Sequence, residues 1–306
     1  MTKNILVTGG EGFIGKPLVF YLKRLGHNVK VWDIKNGINI LRKLPSPSRW
    51  YDVIIHLAAE LEILNSSPIK EMDLNLRATL RLLEWARKYN VKKFVFASSA
   101  AVYGEADVRP TPETAPLRPF WSYGSSKLAS EVYIQQYEEL YGIKSVMIRP
   151  AIVTGVGEWY GRFVTLSLAR IRQNKPILVF GSGRQTRDFV NVLDTAYAFY
   201  LSSIKNVPTP LILNIGSGKE VMIKDVANFL SKLAGGHPIK YVNPKVGELG
   251  RKPHELKHLC LDIRRAKKYL GWKPMTSLKE TLKLEYKWVM KMSEREFREW
   301  TRNPRY

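Results

Sequence analysis

Tyr123 and Lys127 stand four positions apart, the spacing that puts two side chains on one face of a helix. An ammonium beside a phenol favours the phenolate and lowers its pKa from about 10, which makes tyrosine a usable base near neutrality. Spacing alone carries little, because the chain has 15 tyrosines and four tyrosine/lysine pairs share this separation: Tyr89/Lys93, Tyr123/Lys127, Tyr241/Lys245 and Tyr269/Lys273. Context separates them. The first spans a helix-to-strand break at Asn90, the third spans Pro244 and the fourth spans Gly271-Trp272, so only Tyr123/Lys127 lies in unbroken helical sequence. It also follows a strand ending in Ser98-Ser99, at the carboxyl edge of a sheet, where open α/β folds bind ligands.

A second constellation is Thr8-Gly9-Gly10-Glu11-Gly12-Phe13-Ile14-Gly15, which closes a strand and opens a helix. Its spacing is Gly-x-x-Gly-x-x-Gly. Glycines there let the backbone turn tightly and approach a pyrophosphate, and the helix N-terminus offers free N–H donors and a partial positive charge. Asp33 ends the next strand, where a carboxylate accepts from a ribose hydroxyl and repels a 2′-phosphate. This favours NAD over NADP, with Lys35 two residues on as a counterweight.

Both constellations need a sheet behind them. Strands are predicted over Lys3 to Thr8, Asn28 to Trp32, Val53 to Ala58, Lys93 to Ser98 and Lys144 to Ile148, separated by segments of helical periodicity. Phe13 to Leu25 reads as one helix; Leu74-Leu76-Leu80-Leu83-Ala86 and Leu128-Val132-Gln135-Tyr137-Leu140 mark the apolar faces of two more. Such alternation specifies an α/β fold, a doubly wound parallel sheet of Rossmann-like type. After Pro150 the rhythm turns irregular and indicates a smaller, interleaved C-terminal lobe. The expected division is a dinucleotide-binding domain over residues 1–150, with returns near 189–215 and 258–263, and a lobe over 151–306 that takes the substrate.

Of the basic and acidic residues, 21 and 14 lie in 1–150, 12 and 6 in 151–250, and 16 and 7 in 251–306, for a net charge of +22. The excess is spread over the chain and comes with no helix-turn-helix, zinc finger or ribonucleoprotein signature, which speaks against nucleic acid as a partner. No apolar run reaches membrane-spanning length, and a cytoplasmic protein is expected. One cysteine, Cys260, and five histidines without ligand spacing leave no metal site expected. His56 reads as a framework residue, Cys260 as a small buried group, Trp272 as packing under the second lobe, and Ser293 to Tyr306 as an amphipathic appendage.

The sequence resembles the extended short-chain dehydrogenase/reductase family, in its nucleotide-sugar epimerase/dehydratase branch. The likeness rests on the glycine turn, His56-Leu-Ala-Ala59, Ser98-Ser-Ala-Ala-Val-Tyr-Gly104, Tyr123-Gly-Ser-Ser-Lys127, Gly181 to Asp188 and Leu270-Gly-Trp-Lys-Pro274, and runs nearly end to end. By this resemblance Tyr123 is the base, Lys127 tunes it and holds the nicotinamide ribose, and Ser99 hydrogen-bonds the reacting sugar hydroxyl. The resemblance further implies NAD held by Gly9, Gly12, Phe13, Ile14, Gly15, Asp33, Leu57, Ala58, Ala59, Ser98 and Pro150, with Asn39 nearest to the place of an adenine-side acid. The segment after Asp33 is short where relatives fit another helix and strand.

Departures narrow the chemistry. Relatives that eliminate water carry an acidic pair after the active-site Ser/Thr; here Ala100 and Ala101 stand there, and neither transfers a proton. Ile152 replaces a usual Asn near the sugar diphosphate. On the substrate side the resemblance places Ala100 and Arg187, the latter on phosphate, with Arg251 or Lys252 as a second cation and Leu259 bordering the sugar. The implied activity is NAD-dependent epimerisation at C4 of a nucleoside-diphosphate sugar, of UDP-glucose/UDP-galactose type, by a homodimer. The alternative is a dehydrogenase or reductase of the same fold with net redox change.

Overall fold

The computed structural model describes residues 1–42, 44–47, 50–60, 68–246, 248 and 255–302. The apolar runs of the first half form β1 (Asn4–Thr8), β2 (Asn28–Trp32), β3 (Val53–His56), β4 (Lys93–Ala97) and β5 (Lys144–Pro150). Between them lie α1 (Gly15–Arg24), α2 (Pro68–Glu71), α3 (Ala78–Lys88) and α4 (Ser122–Tyr141). The second half contributes β6 (Ile152–Thr154), α5 (Phe163–Arg172), β7 (Ile177–Phe180), β8 (Thr186–Arg187), β9 (Phe189–Asn191), α6 (Val192–Ile204) and β10 (Leu211–Ile215). It ends with β11 (Val221–Met222), α7 (Ile223–Leu233), β12 (Ile239–Val242), α8 (Arg264–Leu270), α9 (Leu278–Lys291) and α10 (Glu294–Arg302).

The main sheet has the order β10-β5-β4-β3-β1-β2, and every pairing in it is parallel. Helices cover both faces, so consecutive residues such as Ile5, Leu6 and Val7 are all buried, two of them in one core cluster and Leu6 in another. Strand order reverses at β1, with β2 on one side and β3 on the other; that reversal opens a crevice beyond the carboxyl ends of β1 and β3. This is the α/β doubly wound sheet that the alternation predicts. Among the described residues no strand lies between Asp33 and Val53, and β2 is an edge strand.

The chain beyond Pro150 leaves this sheet and returns to it. β6 pairs with β9 in a two-stranded parallel sheet of its own, and β10 then joins the main sheet beside β5. β7 pairs with β12 and β8 with β11, and α5, α7 and α9 bury their apolar sides around them in a separate cluster. Residues 258–263 meet the first half through the bridge from Thr111 to Leu261, the bond from His258 N–H to the Glu105 carboxylate, and the packing of Leu259 and Leu261 on Ala100, Val102 and Tyr103.

Three expectations are corrected. Trp272 does not pack under the second lobe: it is fully buried in the core of the main sheet with Leu18, Leu22 and Phe199, and its indole donates to Asp194 O at 2.9 Å. A π-helical turn at Met72–Arg77 precedes α3 and shifts its phase. As a result Leu74, Leu76 and Leu80 are only half-buried, while Asn75, Thr79 and Leu82 point inward. On α4 the predicted apolar stripe is outermost at Val132 and Leu140, and the buried face is polar: Tyr123, Ser126, Lys127, Ser130 and Glu131 with Ile134. Hydrophobic periodicity misleads where a helix turns its chemistry inward and satisfies it by hydrogen bonds.

Candidate active site

The glycine turn sits in the crevice. Gly9 takes a left-handed conformation (φ +71°) and donates to Trp32 O, and Gly12 N–H closes the turn onto Gly9 O at 3.0 Å. A Cβ on Gly15 would stand 2.2 Å from Gly9 O, so only glycine lets α1 start this close to β1. No side chain caps the α1 N-terminus; Lys16 N–H is taken by Gly12 O and Pro17 carries none, so the N–H groups left for an incoming anion are those of Phe13, Ile14 and Gly15. Asp33 clasps the turn: its carboxylate accepts from Glu11 N and Lys35 N, both at 3.0 Å. Lys35 reaches back to Glu11 O at 3.4 Å. Asn39 closes its own loop, accepting from Leu41 N at 2.9 Å.

Two strands from β1, at the end of β4, α4 turns Tyr123, Lys127 and Glu131 inward at successive i, i+4 positions. The helix approaches the turn Ala100–Val102 closely because residue 124 is glycine; a Cβ there would lie 2.6 Å from Ala101 O. Lys127 donates from Nζ to Ala97 O at 2.8 Å, and its ammonium stands 4.8 Å from the Phe96 ring centre and 5.8 Å from that of Tyr123. Burial pulls the Lys127 pKa down to about 7, against the opposing pull of Glu131. Glu131 takes a bidentate pair from Arg149 and the hydroxyl proton of Ser98.

Ser98 and Ser99 therefore differ. Ser98 spends its proton on Glu131, whereas Ser99 accepts from Ala101 N at 3.1 Å and keeps its O–H to give. His56, fully buried between Thr8 Oγ1 (2.6 Å) and Thr79 Oγ1 (3.0 Å), is held neutral by burial, its pKa lowered to about 3. It is a framework residue.

One cavity of about 990 Å³ unites these parts. Phe13, Ile14, Leu57 and Ala59 line it at the glycine-turn end, and Ser98, Ser99, Ala100, Tyr123, Lys127 and Pro150 line its middle. Arg187 and Leu259 line the far wall, with Ile152 between. Gly9, Gly12, Gly15, Asp33 and Ala58 are not in the cavity wall itself; they build or flank the turn that opens onto it. Arg187 is set there by Asp188, whose buried carboxylate takes the backbone N–H groups of Ser217, Gly218 and Leu261. The guanidinium donates to Thr186 O at 2.8 Å and lies 3.8 Å from Glu255. Leu259 is buried against Ala100, Val102 and Tyr103 and also borders the cavity. Arg251 and Lys252 lie outside the described residues. Sequence reasoning missed Glu131, legible as the next i+4 partner of Lys127, and Trp159, Tyr160 and Arg162 in a glycine-flanked segment of the wall. Among the described residues no group of three or more His, Cys, Asp or Glu is placed to hold a metal, and no helix is long and apolar enough to cross a membrane.

A family model described as the NAD dependent epimerase/dehydratase family matches residues 5–216, more than two thirds of the chain. The chain belongs to this family. A Methanocaldococcus jannaschii epimerase, provisionally named as acting on UDP-glucose at C4, is 36% identical over 313 aligned residues, covering 93% of this chain and 98% of its own. The Thermotoga maritima UDP-glucose 4-epimerase solved with UDP-glucose superposes with a TM-score of 0.81 at 31% identity, over 94% of this chain and 99% of that one. The Thermus thermophilus UDP-glucose 4-epimerase solved with NAD gives 0.82 at 27% identity, over 95% and 100%. The family's NAD fits the residues present in this epimerase-family chain: an uncapped helix N-terminus, a turn kept free of side chains by glycine, and a carboxylate at the end of β2.

Proposed function

We propose that this protein interconverts UDP-glucose and UDP-galactose by inversion at C4. The observation that carries the reading is the placement of Tyr123, Lys127 and Ser99 in one cavity with the glycine-turn residues Phe13 and Ile14, while Ala100 and Ala101 offer no acid for elimination. The names of the relatives above support the same substrate. When bound, NAD supplies a ring that takes a hydride from C4 and returns it. Tyr123 removes the O4 proton as its phenolate, which the Lys127 ammonium stabilises. Ser99 donates its free O–H to O4 and steadies the developing 4-keto oxygen. Tyr123 then returns the proton to O4 after the ketone has presented its other face, and net redox change is zero.

The same reading assigns residues 1–150 mainly to NAD and 151–306 mainly to the nucleotide sugar. Arg187 is the phosphate-side cation, with Arg251 or Lys252 as its second. Leu259, at the cavity edge, limits sugar size, so that UDP-N-acetylhexosamines are used weakly. A cytoplasmic homodimer completes it: on α4, Val132, Tyr133, Leu140 and Tyr141 form an exposed apolar strip suited to a second copy. Sedimentation at micromolar concentration should give twice the monomer mass.

The test is to incubate the purified protein with UDP-galactose and no added nicotinamide or reductant, and to resolve the products. UDP-glucose should form. Product that appears only when external nicotinamide is consumed would instead identify a dehydrogenase or reductase.

A further inference from the structure

The segment 155–162, between β6 and α5, carries Glu158, Trp159, Tyr160 and Arg162 into the cavity wall. Three of its residues, Gly155, Gly157 and Gly161, hold positive φ (+145°, +92° and +129°), so its own backbone does little to fix its shape. Contacts must do so. On the inner side Thr154 Oγ1 lies 2.8 Å from the buried Glu158 carboxylate and 3.0 Å from Glu285 of α9. The Trp159 ring stands edge-on to Phe13 of the glycine turn, with centroids 5.5 Å apart, and the Arg162 guanidinium lies 4.9 Å over it.

On the outer side the contacts come from α10, the appendage to which neither the reaction nor the resemblance gives a role. Trp300 donates from its indole to Glu158 O at 2.9 Å, and its ring packs at 5.5 Å on Tyr160. It is itself wedged against Trp288 (5.6 Å) and Phe297 (6.0 Å). The helix is moored at its other end to the last turn of α5. Arg172 lies 4.5 Å over the Phe297 ring, pairs with Glu294 at 2.9 Å and donates to Val289 O. Thus α10 reaches from the C-terminal end of α5 to the segment that precedes α5.

We propose that Trp300 is a positioning residue for substrate binding: through Glu158 and Tyr160 it holds 155–162 in the shape that completes the cavity wall. The substrate part of this proposal rests on the nucleotide-sugar reading above; the positioning part does not. A loosened wall loses contacts that ground state and transition state share, so it should raise KM more than it lowers kcat.

Trp300→Ala and Trp300→Phe test it, the second keeping a ring for Tyr160 but no N–H for Glu158. Amide hydrogen exchange across 155–162 should speed up at least ~10-fold in Trp300→Ala, while Asn4–Thr8 and Val53–His56 keep their protection. KM for UDP-galactose should rise ~10-fold with kcat within ~3-fold of wild type, bound NAD should be unchanged, and Trp300→Phe should recover part of the loss. Unchanged exchange across 155–162 overturns the positioning role, and faster exchange with unchanged KM overturns its link to substrate. Should Trp300→Ala fail to fold, the same two readings on Trp300→Phe decide. A wild-type protein inactive on UDP-galactose counts against the nucleotide-sugar reading, while the exchange measurement still decides the positioning role.

Discussion

Two adjacent serines show how a single hydrogen bond sets a role. Ser98 gives its proton to Glu131; Ser99 has its oxygen engaged by Ala101 N and its proton free. Ser99→Ala should therefore slow turnover without stopping it, whereas Tyr123→Phe should lower kcat at least ~100-fold, the scale of losing a general base, with NAD still bound. Turnover of Tyr123→Phe at the wild-type level would require another base. Lys127 makes a prediction of a different kind. Its pKa falls from 10.5 to about 7 in the folded protein, so between those values the unfolded chain binds a proton that the folded chain does not. Stability of the wild type then rises with pH across that window, and the burial penalty is at its full value below it. Lys127→Met holds no such proton. Its melting temperature, relative to wild type and without cofactor, should be higher at about pH 6.5 than at about pH 9.5. An equal difference at both would show that the ammonium is not destabilised by burial.

Elements explain what the sequence could and could not disclose. Strands β1, β3, β4 and β5 were legible because a parallel sheet covered on both faces needs apolar runs, the edge strand β2 by its alternation of Val29, Val31 with Asn28, Lys30, and the glycine turn because no other residue fits it. The pairing of Tyr123 with Lys127 was legible once helix breaks removed its three rivals, which indeed fall at strand, loop or helix-end positions. The buried face of α4 was not legible, since Ser126, Lys127, Ser130 and Glu131 look like solvent-facing residues until Asn75, Ala97 O and Arg149 are placed beside them. The π-helical turn before α3 has no periodic signature; Leu74, Leu76 and Leu80 of the leucine stripe are only half-buried, while Leu83 and Ala86 face the core as the stripe predicts. Gly15→Ala weighs two opposed effects at this scale. Helix propensity favours alanine by ~1 kcal/mol, but a Cβ at 2.2 Å from Gly9 O forces the backbone apart at a cost of ~1–3 kcal/mol or more. The variant should melt lower and purify with less NAD; unchanged NAD content would remove Gly15 from the cradle.

Across the whole molecule, the main sheet carries the glycine turn at one end of a cavity and residues beyond Pro150 line the other, so the cavity is built from parts that the chain visits alternately. The C-terminal helix, opaque in sequence because Arg172 and Glu158 lie 122 and 142 residues from the Glu294 and Trp300 they meet, belongs to the second of these parts through Trp300 and Arg172. The central claim is that a hydride leaves C4 and returns to it inside one closed site. UDP-galactose carrying deuterium at C4, incubated in ordinary water with no added nicotinamide, tests this most directly when the product's C4 is read by NMR or mass spectrometry. The account predicts UDP-glucose that retains the deuterium at C4. Deuterium lost to water, or replaced by hydrogen in the product, would contradict it.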